Sequence, residues 1–223
     1  MVPRTKEELA KLIDHTILSP AATPRDVERY CRETLEYGFW GVMVNPYYVS
    51  LAKAVIGNRA KVMSVVGFPF GATKPFLKAR EAEAALNDGA DEIDMVMNIG
   101  AFKAGLYELV EREVKAVASV VHDYGGVLKV IIETGYLTPD EIAKASRLVV
   151  DAGADFVKTS TGYGPRGATV EDVEIIRRAV GDRAGVKAAG GIRTADQAIT
   201  MIKAGANRIG SSHGVDIINT FRA

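Results

Sequence analysis

Two lysines and one aspartate stand where strand-forming sequence gives way to small residues and glycine. In the run Gly153-Ala154-Asp155-Phe156-Val157-Lys158-Thr159-Ser160-Thr161-Gly162, Phe156 and Val157 favour a strand that ends at Lys158. A second lysine, Lys187, lies in the apolar run Gly185 to Ala189, which leads into Gly190 and Gly191. In Glu92-Ile93-Asp94-Met95-Val96-Met97-Asn98, alternation puts Asp94, Val96 and Asn98 on one face. A lysine at the lip of a buried strand is costly to desolvate as a cation, so it either finds partners or loses its proton. A neutral amine in a pocket attacks carbonyl carbon. Taken singly, each residue has an ordinary explanation, as a snorkelling lysine, a solvated edge lysine or a strand-end cap. Three of them at strand ends of one fold point to chemistry. Two ammonium groups on neighbouring strands cannot both stay charged cheaply in a low-dielectric funnel, so one is pushed toward the neutral form.

Such a trio requires a scaffold that brings several strand ends together. Three segments repeat one pattern: Asp88 to Asp94, Ala152 to Lys158 and Ala204 to Gly210, with a looser copy at Tyr37 to Val44. Each has a helical pattern before it, a glycine suited to the position after a helix, and a short strand. Further strand-like runs lie at Ile13 to Leu18, Lys61 to Gly67, Val127 to Thr134 and Gly185 to Ala189, which makes eight strands. Apolar residues spaced by three and four separate them, as at Leu106, Leu109, Val110, Val114, Val117 and Val121. Helix starts are signalled by Thr5/Glu8, Thr23/Asp26, Thr138/Glu141, Thr169/Asp172 and Thr194/Gln197, with Pro24 and Pro139 at first helical positions. This alternation predicts an α/β protein, a (β/α)8 TIM barrel with a short helix before the first strand. A doubly wound open sheet is the alternative. No linker or low-complexity stretch divides residues 1–223, so one domain is expected. In a barrel of this kind the C-terminal strand ends carry the site.

Composition narrows the function. Lys plus Arg and Asp plus Glu number 28 each, so there is no global basic field for nucleic acid or an anionic membrane. No apolar run approaches the length of a membrane span, and no apolar signal core follows Met1. Cys31 is the sole cysteine and His15 and His122 lack a metal-spacing partner, which argues against disulfides and a metal centre. A soluble, cytoplasmic protein is expected.

The stretches LIDHTIL, GADEIDMVMN, LKVIIETG, GADFVKTSTG and VKAAGGIRT, in this order, resemble the deoxyribose-phosphate aldolase family over nearly the whole chain. The resemblance implies that Lys158 forms a Schiff base, that Lys187 lowers its pKa and that Asp94 works with a water in proton transfer. It further implies a class I reaction with no metal or other cofactor, in which 2-deoxy-D-ribose 5-phosphate is cleaved reversibly to acetaldehyde and D-glyceraldehyde 3-phosphate. By the same analogy the chain forms a dimer or tetramer of identical subunits. A neutral chain needs a local phosphate site, and the loops after strands seven and eight offer Gly190, Gly191, Gly210, Ser211 and Ser212, with Thr161 and Gly162 after strand six. Asp14, Thr16, Lys129 and Glu133 are further polar residues in apolar surroundings. Asp14, Thr16 and Lys129 are expected to support the reacting groups from behind. Another Schiff-base lyase, a phosphate-binding barrel isomerase, or a sugar-phosphate-binding relative without turnover would share the glycine loops. Two positions depart from the family pattern: His213 stands where many relatives have a second serine, and Met43 where a cysteine is frequent.

Overall fold

The computed structural model describes residues 2–222. The first half of the chain forms α1 (Lys6–Ala10), β1 (Ile13–Ile17), α2 (Pro24–Tyr37), β2 (Gly41–Val44), α3 (Val49–Ile56), β3 (Lys61–Val66), α4 (Pro75–Asn87) and β4 (Glu92–Val96). The second half forms α5 (Ile99–Lys103), α6 (Tyr107–Asp123), β5 (Val127–Ile131), α7 (Pro139–Asp151) and β6 (Phe156–Lys158). It ends with α8 (Val170–Val180), β7 (Gly185–Ala189), α9 (Ala195–Lys203), β8 (Arg208–Ser211) and α10 (Gly214–Thr220). All eight strands are parallel and close in sequential order, with β8 paired to β1. The fold is thus the (β/α)8 barrel that the alternation predicts, with α1 ahead of β1. No helix among the described residues is long and apolar enough to cross a membrane.

Local chemistry sets the element boundaries. Thr23, Thr138, Thr169 and Thr194 each close a reciprocal capping box, and Pro24 and Pro139 open their helices as expected. Thr5 caps one way only, accepting from the Glu8 N–H, while the Glu8 carboxylate accepts from the Arg4 N–H. Gly153 and Gly205 turn the chain out of α7 and α9 at φ of +104° and +118°, a region that disfavours side chains.

β1 and β3 end one residue before expectation, and two other strand ends differ by more. β4 stops at Val96, because Asn98 turns to cap α5 with its side-chain oxygen, 3.0 Å from the Ala101 N–H. β5 stops at Ile131: Glu133 takes a left-handed conformation at φ +53°, and Thr134–Tyr136 form a single 3-10 turn. Both chain segments leave the sheet to present polar groups at the C-terminal face.

The core has two compartments. Outward residues such as Ile13, Val42, Val62, Ile93, Leu128, Val157, Val186 and Ile209 pack against the helices in one continuous cluster. Cys31 is part of it, and burial pushes its thiol up to about 11. Inside the barrel Leu18, Met43, Met63 and Val65 form a small apolar group, with Phe68 packed against it. Charged residues fill much of the remaining interior.

A second buried charge pair lies outside the barrel, between α4 and α6. Lys78 and Glu113 are both fully buried, with Nζ 2.9 Å from Oε2. Lys78 also donates to the Val96 carbonyl (2.8 Å), and Glu113 accepts from the Asn98 N–H (2.7 Å), so the pair clamps the end of β4. Burial drives the two groups toward neutrality, lowering the Lys78 pKa and raising that of Glu113. Removing one partner strands the other. The Lys78→Met variant should lose about 3–5 kcal/mol of stability at neutral pH, read from its denaturant midpoint. Adding Glu113→Leu should recover part of that loss.

Candidate active site

The site is built on an ion network inside the barrel, and strand register assembles it. Asp94 lies beside Lys129, Lys158 beside Lys187, and Lys187 beside Arg208. Asp94 is fully buried and serves three amines. Oδ1 lies 3.0 Å from Lys129 Nζ, while Oδ2 lies 2.8 Å from both Lys158 Nζ and Lys187 Nζ. Lys187 has a second carboxylate, Asp14, at 2.5 Å, and Asp14 in turn holds Arg208 at 2.8 Å. Lys129 has Glu92 at 2.5 Å. Gly210 belongs to this arrangement as well, since a Cβ there would come within 2.9 Å of the Lys187 Cε.

Electrostatics separates the groups. Burial lowers the Lys158 pKa; Asp94 opposes the shift, Lys187 and Lys129 add to it, and the result is about 8 against an ordinary 10.5. The crowding of two lysines expected from the sequence is therefore present, but burial is the larger cause and a shared carboxylate oxygen bridges them. Burial alone would raise the Asp94 carboxyl, yet Lys129, Lys158 and Lys187 hold it well below the usual range. Burial would likewise raise Asp14, and Lys187, Arg208 and Lys129 reverse this to a net lowering. For Lys129, burial is outweighed by Asp94, Glu92 and Asp14, and its pKa is raised. The interior thus holds ionised carboxylates beside one amine that gives up its proton close to neutral pH.

That amine lines the floor of a cleft of about 570 Å³ at the C-terminal face. Every residue assigned to phosphate from the sequence borders this same cleft: Thr161, Gly162, Gly190, Gly191, Gly210, Ser211 and Ser212. Thr16 borders it too, with its hydroxyl donating to the Asp14 carbonyl at 2.9 Å, so it is a wall residue rather than a support from behind. Asp14, Asp94, Lys129 and Lys187 lie beneath the cleft, each with no exposed surface.

Several hydroxyls are committed within the protein. The Thr161 N–H (3.1 Å) and hydroxyl both donate to Glu133 Oε2, and Ser211 donates to the Ile192 carbonyl at 2.6 Å. Among the described residues, the backbone N–H groups of Gly190, Gly191 and Ser212 and the Ser212 hydroxyl have no protein acceptor. Burial raises the Glu133 carboxyl despite its bonds to Thr161. His213 sits at the rim, with Nδ1 2.9 Å from Asp216 Oδ2 and its N–H donating to Ser211 Oγ. Met43 is fully buried in the barrel's apolar group.

Sequence reasoning missed Glu92 and Arg208. Trp40 donates to Glu92 at 2.8 Å and stacks its ring 4.1 Å from the Arg208 guanidinium, which places both charges toward the N-terminal side of the interior. The signal was present, because the alternation that singles out Asp94 also turns Glu92 and Arg208 inward. Arg29, Tyr30, Tyr163 and Arg193 also border the cleft. Arg29 comes from the exposed side of α2 and Tyr30 from its core-facing side, stacked on His15, where the sequence reads it as packing.

The fold and this geometry define a class: barrels that expose one buried, proton-poor lysine at the floor of the C-terminal cleft. Comparison with known proteins gives the family. Residues 9–220 match the model of the DeoC/LacD family aldolases. The deoxyribose-phosphate aldolase of Thermococcus gammatolerans is 56% identical over 218 residues, covering 96% of this chain and 97% of that one. That of Aciduliprofundum boonei is 57% identical over 214 residues, covering 96% of each. The tetrameric deoxyribose phosphate aldolase of Aeropyrum pernix superposes with a TM-score of 0.89 at 36% identity, covering 99% of this chain and 93% of that one. The chain belongs to the DeoC/LacD aldolase family, as its motifs led us to expect. It is an enzyme, a carbon–carbon lyase.

The depressed Lys158 pKa has a direct readout. Reductive methylation of Lys158 by formaldehyde and cyanoborohydride, followed by peptide mass spectrometry, should rise with pH and level off above about 8. Exposed lysines should go on rising toward about 10.4. In Asp94→Asn the midpoint for Lys158 should fall further, since the carboxylate that favours the ammonium is gone while Lys187 remains.

Proposed function

We propose that this aldolase cleaves 2-deoxy-D-ribose 5-phosphate reversibly to acetaldehyde and D-glyceraldehyde 3-phosphate through a Schiff base on Lys158. The observation that carries this reading is the buried Lys158 amine at the cleft floor, 2.8 Å from Asp94, with its pKa lowered to about 8. The neutral amine adds to the C1 aldehyde, and loss of water with uptake of one proton from solvent gives a protonated imine. A base removes the proton of the C3 hydroxyl, the C2–C3 bond breaks, and its electron pair moves into the imine to give an enamine. Glyceraldehyde 3-phosphate leaves with the new carbonyl. The enamine takes a proton at C2, and hydrolysis of the resulting imine releases acetaldehyde and the free lysine.

Asp94 is assigned to the C3 proton, acting through a water. The assignment rests on its Oδ2, 2.8 Å from Lys158 Nζ. Burial lowers the Lys158 pKa and the Lys187 charge adds to the shift, while Asp14 and Lys129 hold Lys187 and Asp94 in place. Thr16 orients from the wall of the cleft. The phosphate is assigned to the Gly190, Gly191 and Ser212 N–H groups, with Gly162, Gly210 and Ser211 shaping the pocket and Thr161 held by Glu133. We further take residues 1–223 as one domain working in the cytoplasm as a homo-oligomer, a dimer or tetramer. The tetrameric relative from Aeropyrum pernix and the exposed Phe70, Phe76 and Leu77 support the assembly.

Borohydride reduction in the presence of acetaldehyde tests the mechanism. It should add one ethyl group to the Lys158 peptide, and an adduct elsewhere or none would sink the proposal. In Asp94→Asn the adduct should still form, while turnover falls by about 10²- to 10⁴-fold.

A further inference from the structure

Beyond the cleft, the C-terminal face holds a second cavity of about 240 Å³, lined by Pro69, Phe70, Ile99 and Tyr136, with Glu133 and Gly164. No lysine, arginine or histidine borders it, whereas the main cleft has Lys158, Arg29, Arg193 and His213. The second cavity thus carries no cation, and apart from the Glu133 carboxylate, whose Oε2 is taken by Thr161, its lining is mostly apolar. Thr161 and Tyr163 are the two residues common to both linings. Thr161 is fixed by Glu133, which accepts from both its N–H and its hydroxyl.

Of these two, Tyr163 carries the larger side chain. It follows β6 in the chain, yet its hydroxyl donates to the Leu18 carbonyl at 3.0 Å, just past the end of β1, so the side chain reaches across the barrel mouth. Its N–H donates to Thr161 Oγ1 at 3.0 Å, which ties the base of the side chain down. Its ring meets that of Phe68 edge-on, with centroids 5.6 Å apart and planes at 89°. The side chain is thus held at its root and its tip and packed against Phe68, and it lines both compartments while staying half exposed.

We propose that Tyr163 is a specificity-determining residue that keeps extended apolar aldehydes out of the acceptor position. The inference rests on the aldolase reaction proposed above, run in the direction of synthesis. An acceptor must bring its carbonyl carbon to the enamine on Lys158, and its remaining atoms then lie in the cleft. A phosphorylated acceptor meets unpaired N–H groups there. An alkyl chain meets polar surface that it cannot satisfy, while the apolar cavity that would suit it lies behind the Tyr163 ring.

Removing the ring joins the compartments and gives the alkyl chain a place to bury. Each methylene moved from water into the apolar cavity is worth about fourfold in affinity. The test is addition of acetaldehyde to hexanal against addition to glyceraldehyde 3-phosphate. In Tyr163→Ala the ratio of kcat/KM for hexanal to that for glyceraldehyde 3-phosphate should rise by about tenfold or more, through a lower KM for hexanal. Ile99→Trp in the same background fills the cavity and should bring the ratio back. A ratio unchanged in Tyr163→Ala overturns the inference, as does a rise that survives Ile99→Trp. A wild-type chain that adds acetaldehyde to hexanal but not to glyceraldehyde 3-phosphate overturns the substrate reading and the role of Tyr163 together. Failure of the Tyr163 role alone leaves wild-type addition to glyceraldehyde 3-phosphate intact, so the two failures are told apart.

Discussion

The structure depends on a charge balance sealed inside the barrel. Three carboxylates, Asp14, Glu92 and Asp94, face four bases, Lys129, Lys158, Lys187 and Arg208. With every group ionised the interior would carry one positive charge too many in a medium that solvates charge poorly. The surplus is relieved at the base with the fewest partners. Lys129 contacts Glu92 and Asp94, Lys187 contacts Asp14 and Asp94, and Arg208 contacts Asp14 and Glu92. Lys158 has Asp94 alone, and its pKa is the one lowered to about 8. A neutral Lys158 leaves three charges of each sign.

Such an interior contributes little net stability, because desolvating seven ionisable groups offsets most of their mutual attraction. The apolar cluster between sheet and helices must hold the barrel closed, and it runs through all eight strands. The division has a structural consequence. The outer layer can be apolar and uniform, while the inner layer is free to carry charge at fixed positions set by register. The Lys78–Glu113 pair extends the same logic outside the barrel, binding the backbone of Val96 and Asn98 just beyond Asp94 on its strand.

The sequence made the strands, the capped helices and the inward lysines legible because each follows from short-range periodicity. Thr23 with Asp26 or Thr138 with Glu141 needs only four residues to declare a helix start, and a lysine after Phe156-Val157 needs only three to declare a polar strand end. Relations across the barrel were not legible. The sequence offers no way to know that Thr161 spends its hydroxyl on Glu133, 28 residues away, or that Tyr163 reaches Leu18, 145 residues away. The early ends of β4 and β5 have a local origin that periodicity also hides. Asn98 and Glu133 continue the alternating pattern by type, but one prefers to cap α5 and the other turns left-handed.

A place beside the cleft and a lowered pKa coincide at Lys158 for one geometric reason. It is the last residue of β6, so its amine opens onto the cleft, whereas Lys187 has Ala188 and Ala189 above it on β7 and is wholly buried. The same position that leaves Lys158 beside the cleft leaves it short of a second carboxylate, because Asp14 and Glu92 lie deeper, against Lys187, Arg208 and Lys129. Deprotonation there breaks one ion pair, where at Lys187 or Lys129 it would break two. A carbonyl compound entering the cleft therefore meets the one amine that loses its proton at the lowest electrostatic cost. The number of carboxylates each lysine contacts, two for Lys129 and Lys187 against one for Lys158, sets Lys158 apart from the other two.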